Sequence, residues 1–219
     1  MNKFNPYIRS IEVNWLIAQI ESLLIMFNER KNPSLTLYGC LEARNLIERV
    51  EYELLAIAAT NMNNSEFLEL VEMKNGISNA NKKLKSLKYK YQTFSKIATE
   101  VLFKNWDLKA FDFKQADNLI YELSQYLHIY SKSNADMDIN SEFMNNGLNS
   151  ILKTLKFTKG YFFEITPKEI VNGIFDFNTL SEDVREVFNF WLTDIKNDED
   201  NLRKFLIEIN LKNNASSKT

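Results

Sequence analysis

Residues 39–59 read GCLEARNLIERVEYELLAIAA, and the fold class turns on them. The stretch contains no proline and is rich in strong helix formers. Apolar side chains recur at Ala43, Ile47 (with Leu46), Val50, Leu54 and Ile57, which is the spacing of one face of an α-helix. The opposite face carries Glu42, Arg44, Asn45, Glu48, Arg49, Glu51 and Glu53. Arg44 and Glu48 stand one turn apart and can pair there. A second stretch, 119–132 (LIYELSQYLHIYSK), answers the first and holds the only histidine, His128.

Helical spacing continues on both sides. A helix is expected over 10–30, its apolar positions being Ile11, Trp15, Ala18, Leu23, Ile25 and Met26, and Asn32-Pro33 should stop it. The central helix then covers 35–60, and Ser65 can cap another over 65–73. A long helix over 78–105 carries a narrow seam of Leu84, Leu87, Tyr91, Phe94, Ala98 and Val101. The capping box Asp112-Phe113-Lys114-Gln115 opens a helix over 113–132. A further helix over 141–157 turns Phe143, Leu148, Ile151, Leu152 and Leu155 inward. The aromatic run GYFFEI at 160–165 reads as extended or as part of a turn, and shorter helices follow near 167–175, 181–196 and 199–211. The expected architecture is all-α: a mostly antiparallel helical bundle over 1–157, a smaller helical extension over 158–211 packed on or beside it, and a disordered tail over 212–219.

Composition agrees with a soluble helical chain. Among 219 residues there are only 5 glycines and 3 prolines, too few for a succession of tight hairpins. Hydrophobic content is 45% and charged content 26%, ordinary for a globular protein. A net charge of -2 excludes bulk attraction to nucleic acid but leaves room for a local patch. The single cysteine, Cys40, excludes an intrachain disulfide framework and a multi-cysteine zinc site. A small apolar core residue is its expected role. The N-terminus lacks a signal-peptide pattern, and no run reaches the roughly 20 apolar residues of a membrane helix. The expected setting is the cytoplasm, with no membrane partner.

Candidate chemistry is sparse. There is no Gly-rich phosphate loop, no nucleophile elbow and no His-Glu-x-x-His. The carboxylate clusters Glu48/Glu51/Glu53 and Asp198/Glu199/Asp200 lack calcium-loop spacing, so no metal and no cofactor are expected. His128 can serve as a general base or a nucleic-acid contact near neutral pH, or it can be a packed histidine on the inner or border face of its helix. Arg44 and Glu48 either line a groove facing His128 or form a surface pair worth roughly 0.3–0.5 kcal/mol. The basic run Lys82, Lys83, Lys85, Lys88 and Lys90, interleaved with Tyr89, has the chemistry of phosphate contact and base stacking. It reads equally as a solvated helix face.

The segments LEARNLIERVEYELL (41–55) and YELSQYLHIYS (121–131) together resemble the HEPN superfamily, small all-helical domains common in bacterial toxin–antitoxin, defence and RNA-processing systems. The first is similar to that family's helix with a basic residue and a Glu a turn apart, the second to its LSxYxH segment. The resemblance covers roughly 10–157. Ribonuclease members carry an Arg followed by four to six residues and then His, whereas here Tyr121, Glu122 and Leu123 occupy those positions before His128. The resemblance therefore implies the fold and a homodimer, and points to a non-catalytic module that binds RNA or a protein. The alternatives are a divergent metal-independent ribonuclease using His128 with Arg44 and Glu48, and a protein-interaction scaffold built on the aromatic C-terminal part.

Overall fold

The computed structural model describes residues 9–10, 12–58, 77–104, 110–162 and 180–216. Among them are seven α-helices and no strand, so the chain is all-α. The helices are α1 (Val13–Arg30), α2 (Pro33–Ala58), α3 (Ile77–Leu102), α4 (Phe113–Ser124), α5 (Glu142–Phe162), α6 (Glu182–Thr193) and α7 (Glu199–Ser216), with a 3-10 turn at Ile129–Ser131. The expected helices at 65–73 and 167–175 lie outside the described residues. Among the described residues no helix is long and apolar enough to cross a membrane.

Local chemistry explains several boundaries. Lys31 adopts a left-handed conformation (φ 51°) and its N–H closes α1 onto the Phe27 carbonyl at 2.8 Å. Asn32-Pro33 ends one helix and also starts the next. Asn32 Oδ1 accepts the Ser34 N–H at 3.0 Å, and Pro33 takes the first helical position, where no N–H is needed. Ser141 Oγ accepts the Met144 N–H at 3.1 Å and caps α5. Helix α5 continues through Phe162, so the first part of the aromatic run is helical rather than extended. Helix α7 likewise runs to Ser216, into the segment read as a disordered tail.

The chain divides into two compact units, Met1–Tyr52 with Phe113–Gly160, and Glu53–Asp112 with Tyr161–Thr219. Only the crossing after Gly160 falls near the boundary at 157 read from the sequence. The stretch 53–112 groups instead with the C-terminal helices.

In the first unit, Leu16, Ile17 and Ile20 of α1, Ala43, Leu46 and Ile47 of α2, Leu119 and Leu123 of α4, and Met144 and Ile151 of α5 are buried. The buried stripe of α1 is turned from the expected one, leaving Ile25 exposed and Leu16, Ile17 and Ile20 inside. Helices α2 and α5 meet through small residues. A Cβ at Gly39 would stand 2.8 Å from Ile151 Cδ1, and one at Gly147 would meet Tyr126 Cε1 at 3.0 Å and Thr36 Cγ2 at 3.1 Å. Cys40 Sγ lies 3.7 Å from the Gly147 carbonyl. Burial pushes the Cys40 thiol up to about 12, so it stays protonated and packs as a small apolar group. A carboxylate is sealed into this unit and paired with its cation. Glu42 is fully buried, and Arg9 forks across both its oxygens at 2.5 and 3.2 Å.

In the second unit α3, α6 and α7 pack on one another. Tyr91, Phe94, Ala98 and Val101 are buried on α3, as the seam predicts. Phe94 meets Phe188 of α6 edge-on at 4.6 Å, and Asn210 of α7 donates to the Val101 carbonyl at 3.1 Å. Asp198 Oδ1 accepts the Asn201 N–H at 2.9 Å and caps α7.

The α2–α5 contact makes a direct prediction. Gly39→Val forces branched carbons into the packed Ile151 side chain and should lower unfolding stability by about 1–3 kcal/mol. Gly39→Ala should cost less, because a gain of about 1 kcal/mol in helix propensity opposes the strain. Urea unfolding checks both, and a Val variant as stable as the parent would refute the close approach.

Candidate functional site

Residue by residue, the structure redistributes the candidates. Arg44 Nε donates to Glu48 Oε1 at 2.7 Å, so the one-turn pair forms on α2. His128 does not lie on a helix. Helix α4 ends at Ser124, eight residues before the expected end at 132. The N–H groups of Gln125, Tyr126 and Leu127 then bond three residues back, tightening the chain into a turn. Tyr126 drives this departure: it is buried, its ring sits against Gly147 and it meets Phe143 at 4.5 Å. His128 follows in a non-helical conformation and is exposed, with its ring 6.2 Å from that of Tyr130. Among the described residues it makes no hydrogen bond or ion pair, and neither Arg44 nor Glu48 bonds to it.

The basic run is broken up by tertiary structure. Lys90 is buried, and its ammonium donates to the Trp191 carbonyl at 2.8 Å and the Asp194 carbonyl at 2.5 Å. It lies 3.9 Å from the centroid of the Trp191 ring, whose indole N–H returns a 2.8 Å bond to the Lys90 carbonyl. Lys90 therefore closes the C-terminus of α6, where a cation is favoured by the helix dipole, and does not face phosphate. Desolvation holds its pKa below the usual lysine value. Tyr89 donates to Glu199 Oε1 at 2.6 Å, a bond that raises its pKa and commits its hydroxyl. Lys85 is exposed and Lys88 half-buried. Of Lys82 and Lys83 only the helical backbone is described.

The polar site that does assemble lies between α4 and α5. An open cleft of about 570 Å³ is lined by Glu122, Gln125, Tyr126, Asn146, Asn149, Ser150, Leu152, Lys153 and Lys156. Glu122 Oε2 accepts from Ser150 Oγ at 3.1 Å and from Lys153 Nζ at 3.3 Å, which orients the lysine along the cleft wall. Lys156 is exposed and makes no ion pair with a described residue. One turn before Gln125 stands Tyr121, 71% exposed, and beyond the turn stands Tyr130, 89% exposed. Asn146, Asn149, Lys153 and Lys156 recur at steps of three, four and three along α5. That spacing was legible in the sequence as a polar stripe. What it faces is not, because the apolar spacing turns Leu152 inward whereas the structure leaves it 52% exposed.

Carboxamides offer paired donors and acceptors, ammonium groups offer charge, and the phenol rings offer flat apolar faces. This set suits a ligand with polar edges, anionic groups and planar rings. Among the described residues no group of three or more His, Cys, Asp or Glu side chains could hold a metal ion. Compared with protein-family models, with curated proteins and with solved structures, the chain matches none.

Two predictions follow from the commitments of these side chains. Lys90→Met removes the ammonium donor to the Trp191 and Asp194 carbonyls, leaving Trp191 only its 3.2 Å bond from the Asp194 N–H, and should lower stability by about 1–3 kcal/mol in a thermal or urea melt. An unchanged melt would return Lys90 to the solvated face. In the loop after His128, the Asp136 carboxylate accepts the Ser133 N–H at 2.9 Å and the Ser133 hydroxyl at 2.8 Å, which holds its pKa below the usual aspartate value. Its contribution is thus present above the unfolded-state pKa and is lost as pH falls through the lower folded-state pKa. Carboxyl NMR titration should place Asp136 below an unstructured aspartate, and a midpoint at or above that value would contradict the loop geometry.

Proposed function

We propose that the chain is a non-catalytic, HEPN-like binding module that holds single-stranded RNA along the α4–α5 cleft. The observation that carries this reading is the line of Gln125, Asn146, Asn149, Lys153 and Lys156 along one cleft, with Tyr121 exposed one turn before Gln125 in the chain. Bases would stack on Tyr121 and Tyr130 while the carboxamides meet base edges and the lysines meet phosphate. The likeness of 41–55 and 121–131 to HEPN segments supports RNA as the ligand, together with a homodimer, a cytoplasmic setting and a defence or toxin–antitoxin context. The missing Arg upstream of His128 supports binding without cleavage, since a phosphate transition state calls for a placed cation. Arg44 is the nearest substitute in chemistry, but its guanidinium is already paired with Glu48.

A second reading, a metal-independent ribonuclease using His128 with Arg44 and Glu48, is favoured by one observation: His128 is open to solvent. The two readings separate in one experiment. A labelled 12-nucleotide single-stranded RNA is titrated with the full chain, and a mixed RNA pool is incubated with it and with His128→Ala. The binding reading expects saturable polarisation that weakens with salt, a loss of about 1–3 kcal/mol for Tyr121→Ala, and a salt slope smaller by about 0.7 for Lys156→Gln. It also expects an intact RNA pool. Cleavage that vanishes in His128→Ala would install the ribonuclease reading. RNA binding untouched by both cleft variants would remove the cleft from either one.

A further inference from the structure

The α6–α7 pair carries an apolar surface that its own packing does not explain. The inward positions are Val184, Phe188 and Trp191 on α6 and Leu202, Leu206 and Ile209 on α7, all buried. Phe190 and Phe205 are largely off those stripes. Phe190 is 56% exposed and Phe205 36%, and their rings meet at 5.9 Å and 82°. Together they floor an open groove of about 430 Å³ that extends along both helices to Asp183 and Lys212. From position 183 to 190 a helix rises about 10 Å, room for two turns of a docked helix. The rim is acidic: Asp183 and Glu186 stand on α6 and Glu208 on α7, against the single cation of Lys212.

We infer that this groove docks a basic amphipathic helix of a partner protein, with its apolar anchors on Phe190 and Phe205 and its Lys or Arg side chains against Asp183, Glu186 and Glu208. An aromatic floor between charged walls is the form of a helix-in-groove site, in which residues at one-turn spacing supply the anchors. The carboxylates oppose a nucleic acid or an anionic lipid surface in the same place. They also oppose a second copy, because two-fold self-pairing would bring together rims that each carry three acids and one lysine, an excess of like charge. The inference does not rest on RNA binding, since every group it uses is apolar or acidic and belongs to the second unit.

The test uses the full chain and three fluorescein-labelled 14-residue peptides: a Leu/Lys amphipathic helix, a scramble of the same composition, and a Leu/Glu counterpart. Fluorescence polarisation should show saturable binding of the first, weaker by about tenfold or more for the scramble and absent for the acidic peptide. Phe190→Ala, whose side chain is too exposed to unfold the unit, should weaken binding by about tenfold or more, as loss of a central aromatic anchor does. Circular dichroism confirms that the variant is folded. Glu186→Lys combined with Glu208→Lys should transfer preference to the Leu/Glu peptide. Equal affinity for helix and scramble, indifference to Phe190→Ala, or no saturable binding overturns the inference. So does a concentration-dependent dimer in sedimentation velocity that Phe190→Ala abolishes, which would give the groove to a second copy.

Discussion

The first unit depends on how closely α2 and α5 approach. Gly39 and Gly147 place bare backbone where any Cβ would press on Ile151, Tyr126 or Thr36. Cys40 fills the remaining space and lies against the Gly147 carbonyl. Close-packed interiors transmit such constraints, because no void is left to absorb an added carbon. The constraint reaches beyond the two helices. Tyr126 lies over Gly147, and to place its ring there the chain must leave the α4 helix after Ser124. The exposed loop with His128 follows directly on the turn that brings Tyr126 onto Gly147.

Two buried charges show how the interior treats ionic groups. Glu42 is fully buried, and the Arg9 guanidinium satisfies both of its oxygens. Lys90 is buried, and two carbonyls and an indole face surround its ammonium. Each charge is held by directed partners, as burial of an ion requires. In each case a residue that looks like surface by composition serves the fold. For Lys90 this removes the end of the basic run from any role in recognition and leaves the unit held at the junction of α3 and α6 by a mutual lysine–tryptophan clasp.

The surfaces that remain are chemically distinct. The first unit presents amides, lysines and open phenol rings, suited to an anionic ligand with planar groups. The second presents paired phenyl rings inside an acidic rim, suited to an apolar and cationic one. A near-neutral chain can thus carry two surfaces of contrasting character, because recognition reads local arrangement and not the sum.

The all-α class was legible in the sequence. The apolar periodicities of 39–59 and 78–105 exceed what any strand shows, and the scarcity of Gly and Pro leaves few places to turn back. Local signals also marked the junction at Asn32-Pro33, because capping is chemistry between near neighbours in the chain. The Arg44–Glu48 pair was legible for the same reason. What could not be read locally was decided by contacts between distant residues. The end of α4 was set by Gly147, the fate of Lys90 by Trp191, and the turn of α1 by which of its two overlapping apolar stripes meets the core. The division into interleaved units was decided in the same way. A sequence specifies which faces are apolar through spacing along one helix, but which face is covered depends on the partner helix, and that is settled only when the tertiary structure forms.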